Sequence, residues 1–155
     1  MKKQNIFILS LTAILSSAII FTSSCGGAGE GAKTDSVATA PVADPKGIGE
    51  FTHVEISATI DEGMVTKGKG IYELKCSACH KLTDAKLVGP GWAGISKRRT
   101  PEWIMNMTTN TEVMLNQDPE AQKLLELCLV RMPNQGLNGD DARSIVEFMR
   151  KNDGQ

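Results

Sequence analysis

Only two histidines, His53 and His80, occur in the 155 residues. Outside one pair, the four cysteines and these histidines show no second set of ligands at paired spacing, which excludes a structural zinc site. No stretch alternates apolar and polar residues over the length of a strand, so nothing signals a sheet. No segment repeats another, and a solenoid is excluded with it. Base is not in excess: 17 Lys and Arg stand against 18 Asp and Glu, a balance that argues against nucleic acid as a partner. The apolar stretch Ile6 to Phe21 is interrupted by Ser10, Thr12, Ser16 and Ser17. It is too short and too rich in hydroxyls for a membrane span.

Against these absences, Cys76-Ser77-Ala78-Cys79-His80 carries the most chemistry. Two thiols three residues apart suit thioether bonds to the two vinyl groups of a porphyrin, and the adjacent imidazole suits its iron, so the pattern predicts a covalently attached c-type haem. A redox-active dithiol wants a β-α-β context. The flanks Gly70–Lys75 and Lys81–Asp84 read instead as helix and loop.

The start of the chain reads as an export signal. Lys2 and Lys3 precede the apolar stretch, and Ser23-Ser24-Cys25 supplies small residues ending in cysteine. With Gly26-Gly27-Ala28-Gly29 behind it, the segment resembles a bacterial lipoprotein signal, with Thr22 where a leucine-like residue is usual. The resemblance implies cleavage before Cys25 and acylation of that residue. Several acyl chains give stable anchoring, so the expected protein sits on a membrane without crossing it. Residues 1–24 hold two bases and no acid, and the chain from Cys25 onward has a formal charge of −3. Charge is uneven along it, with eight bases against three acids from Thr66 to Trp103.

With Cys25 given to lipid and Cys76 and Cys79 to haem, Cys128 is left single and no disulfide framework is implied. Among Leu124, Leu125, Leu127, Leu129 and Val130, it reads as a buried, inert thiol. Residues 25–50 have the composition of a flexible tether. Residues 51–155 are then enough for one small domain with the haem at its centre.

The expected domain is all-α. Asp61 to Cys79 carries Val65, Ile71, Tyr72 and Leu74 at helical spacing, weakened by Gly68 and Gly70. Thr100-Pro101-Glu102 opens a helix through Met107, and Asp118-Pro119-Glu120 opens another to about Val130. Asn138 starts a terminal helix with acids in its first turn and Arg150 and Lys151 in its last.

Thr66-Lys67-Gly68-Lys69-Gly70-Ile71-Tyr72 before the Cys76 motif, Gly89-Pro90-Gly91 after it, Arg131-Met132-Pro133 and a terminal helix with Ile145, Val146 and Phe148 together resemble a mono-haem class I cytochrome c over about residues 63–152. That resemblance implies a small helical domain around one haem, with the first and last helices crossing at Gly68 and Tyr72 against Ile145 and Phe148. It also implies that a backbone carbonyl at Pro90 accepts from His80 Nδ1, which fixes the ring and raises its basicity.

The sixth iron ligand separates carrier from enzyme, since a methionine sulfur closes the site and raises the potential. Seven methionines are present. Met132 precedes a proline in a loop before the terminal helix, as the family's ligand does, and proline keeps it extended. Met107 and Met114 are the alternatives. Arg98, Arg99 and Trp103 are candidates to meet haem propionates, against the plainer roles of surface arginines and a packed tryptophan. Trp92 is expected to wall the pocket and His53 to lie on the surface.

The implied function is a membrane-tethered electron carrier on the periplasmic side of a cell envelope. Its donor would be a quinol-cytochrome c oxidoreductase-like complex, and its acceptor a terminal oxidase or a nitrous oxide reductase-like enzyme. A monomer is expected, with Lys75, Lys81 and Lys86 steering acidic partners. The alternative is a haem enzyme or gas sensor with an open distal position, for which only His53 is available as a distal base.

Overall fold

Asp61 caps the first helix, α1 (Glu62–Ile71), by accepting from the Met64 N–H at 2.9 Å. The computed structural model describes residues 43–155. The expected signal segment, Cys25 and residues 26–42 of the expected tether lie outside the described residues. Beyond α1 come α2 (Ile95–Arg98), α3 (Pro101–Thr109), α4 (Thr111–Gln117), α5 (Pro119–Cys128) and α6 (Gly139–Asn152), with no strand among the described residues. The protein is all-α, and none of these helices is long and apolar enough to cross a membrane.

Local chemistry sets the helix starts. Thr100 Oγ1 accepts from Trp103 N–H ahead of Pro101, Asp118 Oδ1 from Ala121 N–H ahead of Pro119, and Asn138 Oδ1 from Asp141 N–H. Each cap satisfies a backbone donor that the helix cannot. One expected helix is altered: α1 does not run to Cys79 in α form. From Tyr72 to Cys76 it widens into a π-type turn, in which Ser77 N–H reaches Tyr72 O at 2.9 Å. Such turns are frequent at functional sites. Likewise α5 stops at Cys128, because Leu129 takes a left-handed conformation with φ 60°.

The core is the crossing of α1 and α6. Gly68 is buried there, and a Cβ on it would run into the Ser144 carbonyl and Phe148 Cβ. Glycine lets the two backbones meet, which outweighs its poor helix propensity. Tyr72 follows one turn on, its ring 5.5 Å from Phe148 and 5.0 Å from Trp92. Ile145, Val146, Phe148 and Met149 of α6 are buried, and α3 adds Trp103 and Ile104 to the same core.

The expected tether boundary at residue 50 is corrected. Residues 45–57 form a strap over α3, α4 and α6. Asn106, 1% exposed, accepts from Phe51 N–H and donates to the carbonyls of Lys46 and Phe51. Ile48 N–H donates to Met114 Sδ at 3.0 Å, and Val54 N–H to Glu102 Oε1. Gly47 and Gly49 read as linker composition, yet side chains there would strike Met114 and Asn106. Further along the strap, Ser57 O accepts from Arg150, which is paired with Glu147 on α6.

Candidate haem cleft

The π-type turn and the residues after it deliver Cys76, Cys79 and His80 to one wall of a mostly apolar cleft of about 1210 Å³, counting its open side. Gly89-Pro90-Gly91-Trp92, α2, α3, α5 and the loop around Met132 supply the rest. His80 Nδ1 donates to Pro90 O at 2.9 Å, and Tyr72 Oη donates to His80 O at 2.8 Å. A side chain on Gly89 would run into the imidazole. Trp92 lies 5.5 Å from that ring, centroid to centroid. The ring is thus held on three sides, with Nε2 left as its lone-pair nitrogen. Burial pulls the His80 pKa below its ordinary value, against the opposing pull of the Pro90 carbonyl. The imidazole is therefore neutral at neutral pH, as a metal ligand must be.

Cys76 points the same way. Burial pushes its thiol up to about 11, with Lys75 lowering and Cys79 raising it further. A dithiol oxidoreductase needs the reverse, a thiolate near neutral pH.

Met132 and Met107 both line the cleft. Met114 does not; it is fully buried beneath Gly47 and Ile48, its sulfur engaged by the Ile48 N–H. Met149 lines the cleft from α6 and is buried. His53 is exposed beside Glu55 and is not part of the wall.

Three expectations for polar residues are refined. Trp103, a candidate to meet a propionate, lines the cleft, and its indole N–H is given to the buried carboxylate of Asp118 at 3.2 Å. Arg99 stacks over Trp103, 4.7 Å from the ring centroid, and pairs with Glu120 at 2.9 Å. Arg98 lines the cleft while donating to Ala93 O. Cys128 is a further correction: it is half-buried, lining both the cleft and a side groove it shares with Lys86 and Arg98, where an apolar interior was expected.

Sequence reasoning quoted Gly89 only within the Gly89-Pro90-Gly91 motif and missed its close approach to His80. It also missed Arg131 and Leu115, which line the cleft. Met132 beside Arg131 was a visible signal for the first, and helical spacing from Thr111 for the second.

The donors present fit a c-type haem: paired thiols, a neutral imidazole, a thioether and apolar walls, with Arg98, Arg99 and Arg131 as cations in the lining. Comparison with known proteins agrees. The family model Cytochrome c matches residues 65–153, more than half of the chain. A curated "Cytochrome c-553-like" protein of Synechocystis sp. is 26% identical over 68 residues, covering 43% of this chain. The chain spans 65% of the length of that relative. Among solved structures, a cytochrome c from Rhodothermus marinus is similar at TM-score 0.67 and 29% identity, over 71% of this chain and 97% of that one. An engineered form of it is similar at TM-score 0.68 and 28% identity, over 72% of this chain and 100% of that one. A third structure, of the engineered protein bound to a carbene intermediate, is similar at TM-score 0.65 and 28% identity, with the same coverage.

Proposed function

Because the chain belongs to the cytochrome c family and carries a covalently bound c-type haem, we propose that it is a mono-haem class I carrier that moves single electrons while tethered to a membrane. The haem supplies the one-electron couple. Cys76 and Cys79 hold the group permanently, so the protein keeps it through repeated encounters. His80 presents Nε2, oriented by Pro90 and Gly89. Met132 would supply a thioether to the iron, which would favour the reduced state and keep small ligands out.

The observation that carries this reading is the composition of the cleft. His80 and Met132 line one apolar cleft whose other titratable lining groups are thiols or cations. Peroxide or oxygen chemistry would want a distal acid–base group. His53, the expected alternative, stands on the surface beside Glu55.

The test is carbon monoxide added to the reduced native protein. A slow or absent complex, turned rapid in Met132→Ala, supports the carrier. Rapid binding by the native protein would instead establish an open distal site and the alternative of a haem enzyme or gas sensor.

Exchange would take place at the cleft mouth, where Val88 and Val130 are exposed and also line the cleft. Lys75, Lys81 and Lys86 are exposed on the same basic segment, which suits brief, salt-sensitive encounters with acidic redox partners. The donor we propose is a quinol-oxidising complex of the quinol-cytochrome c oxidoreductase type, and the acceptor a terminal oxidase or nitrous oxide reductase-like enzyme. Electron-transfer rates that fall with ionic strength would support acidic partners. Acylation at Cys25 would place the domain on the periplasmic face of a cell-envelope membrane. Cys25→Ser should then move the protein from membrane to soluble fractions, and its retention in the membrane fraction would remove the lipid anchor from the reading.

A further inference from the structure

The loop that carries Met132 has almost no backbone anchorage. Residues 130–137 make no backbone–backbone hydrogen bond with any described residue. Leu137 is buried and Met132 half-buried, and both pack on the core. The remaining attachments are polar and lie on either side of Met132. Before it, Arg131 Nη2 donates to Glu112 Oε2 at 3.0 Å and to Asn116 Oδ1 at 2.9 Å, both on α4. After it, Gln135 O accepts from Lys75 Nζ at 2.8 Å, the lysine next to Cys76.

We propose that Arg131 and Lys75 are positioning residues that clamp the Met132 loop onto the cleft, and that ionic strength, by screening the Arg131–Glu112 pair, sets how readily the iron site admits a small ligand. The proposal rests on the reading of Met132 as the sixth ligand. Its physical basis is the weakness of the parts. Arg131 and Glu112 side chains are 45% and 64% exposed, and an exposed pair contributes little and is sensitive to salt. In a loop with backbone ladders such a pair would be incidental. Here it is one of few attachments, so its loss shifts the balance between closed and open loop. The Lys75 contact ends on a neutral carbonyl and responds less to salt.

Imidazole binding to the oxidised holoprotein at fixed pH reads the opening directly. An imidazole nitrogen replaces the Met132 sulfur on the iron, with no change of oxidation state. Glu112→Gln should raise the apparent imidazole affinity about two- to fivefold at low salt, the range of a lost exposed ion pair. Going from about 0.01 to about 1 M ionic strength shortens the Debye length from about 30 to about 3 Å. The native protein should gain affinity over that range and Glu112→Gln should not. Lys151→Gln, which removes an equally exposed pair with Glu62, should behave as native in both respects. Loss of the sulfur-to-iron charge-transfer absorption should track the same variants and salt. An unchanged affinity and salt response in Glu112→Gln, with Met132→Ala binding imidazole far more tightly, would overturn the clamp and leave Met132 as ligand. Native affinity in Met132→Ala would overturn the ligand assignment itself, and the clamp with it.

Discussion

Ser96 donates to Asp153 twice, through Oγ at 2.6 Å and through its backbone N–H at 2.9 Å, while Gly94 N–H reaches the other carboxylate oxygen at 2.6 Å. The residue that follows α6 thereby caps α2, a helix of four residues that carries Ile95 and Arg98 to the cleft. Asp153→Ala should cost about 1–2 kcal/mol, as the loss of a helix cap does. Burial raises the Asp153 pKa, but the hydrogen bonds from Ser96 and Gly94 outweigh it, and the carboxyl sits below its ordinary 3.8. A depressed folded pKa stabilises fully above the unfolded value and loses that contribution as pH falls through the folded one. Urea titrations below about pH 4 should show the native protein losing more stability on acidification than Asp153→Ala.

Gly68 and Gly70 sit two residues apart on α1 and should respond oppositely to alanine. A methyl on Gly68 meets the Ser144 carbonyl and Phe148 Cβ, whereas a methyl on Gly70 meets nothing within 4 Å. Gly68→Ala should cost about 1–3 kcal/mol as overpacking against a rigid backbone. Gly70→Ala should add about 0.5–1 kcal/mol of stability by removing a flexible residue from a helix. Thermal melts of the two holoproteins check the pair, and a stabilising Gly68→Ala would contradict the crossing described above.

Trp103 and Asp118 make a prediction that separates structure from redox tuning. Asp118 Oδ1 accepts both the Trp103 indole N–H and the Ala121 backbone N–H that starts α5. Trp103→Phe leaves the cap in place but removes one donor to a carboxylate that is 1% exposed. It should cost about 1–3 kcal/mol in stability. Because the indole N–H serves Asp118, the reduction potential should stay within error of the native value. A large shift in potential without loss of stability would restore the propionate contact.

The contrast between what could and could not be read from the chain follows range. The helix starts at Asp61, Thr100, Asp118 and Asn138 are written within a few residues, and so are the Cys76–His80 pattern and Met132-Pro133. The crossing at Gly68 became legible once a family resemblance gave its partner helix. What stayed hidden depends on contacts distant in sequence. Asp153 meets Ser96 across 57 positions and Ile48 meets Met114 across 66. Composition therefore assigned residues 45–50 to a tether although Asn106 and Met114 bind them. Trp103 offers the same lesson within the cleft. Its indole was offered as a candidate donor to a propionate, while Asp118, fifteen residues on and the acceptor in the structure, was read only as a cap.

Glu147 is the charge whose removal should matter most. Its side chain is 1% exposed and lies 2.6 Å from Arg143 and 2.9 Å from Arg150, all on α6. Arg150 in turn donates to Ser57 O in the strap. Two guanidiniums thus share one carboxylate, and the pairs are unequal. Arg150 meets both carboxylate oxygens, while Arg143 Nη1 is buried without any partner. Removing one partner of a buried pair costs about 3–5 kcal/mol, because the other charge is left uncompensated. Glu147→Gln should fall in that range, since it strands two cations at once. Arg143→Met leaves the Glu147–Arg150 pair intact and eliminates an orphaned donor, so it should change stability by about 1 kcal/mol or less. Urea denaturation of both holoproteins at neutral pH compares them directly. Equal losses in the two variants would mean that Arg143, rather than Glu147, organises the cluster.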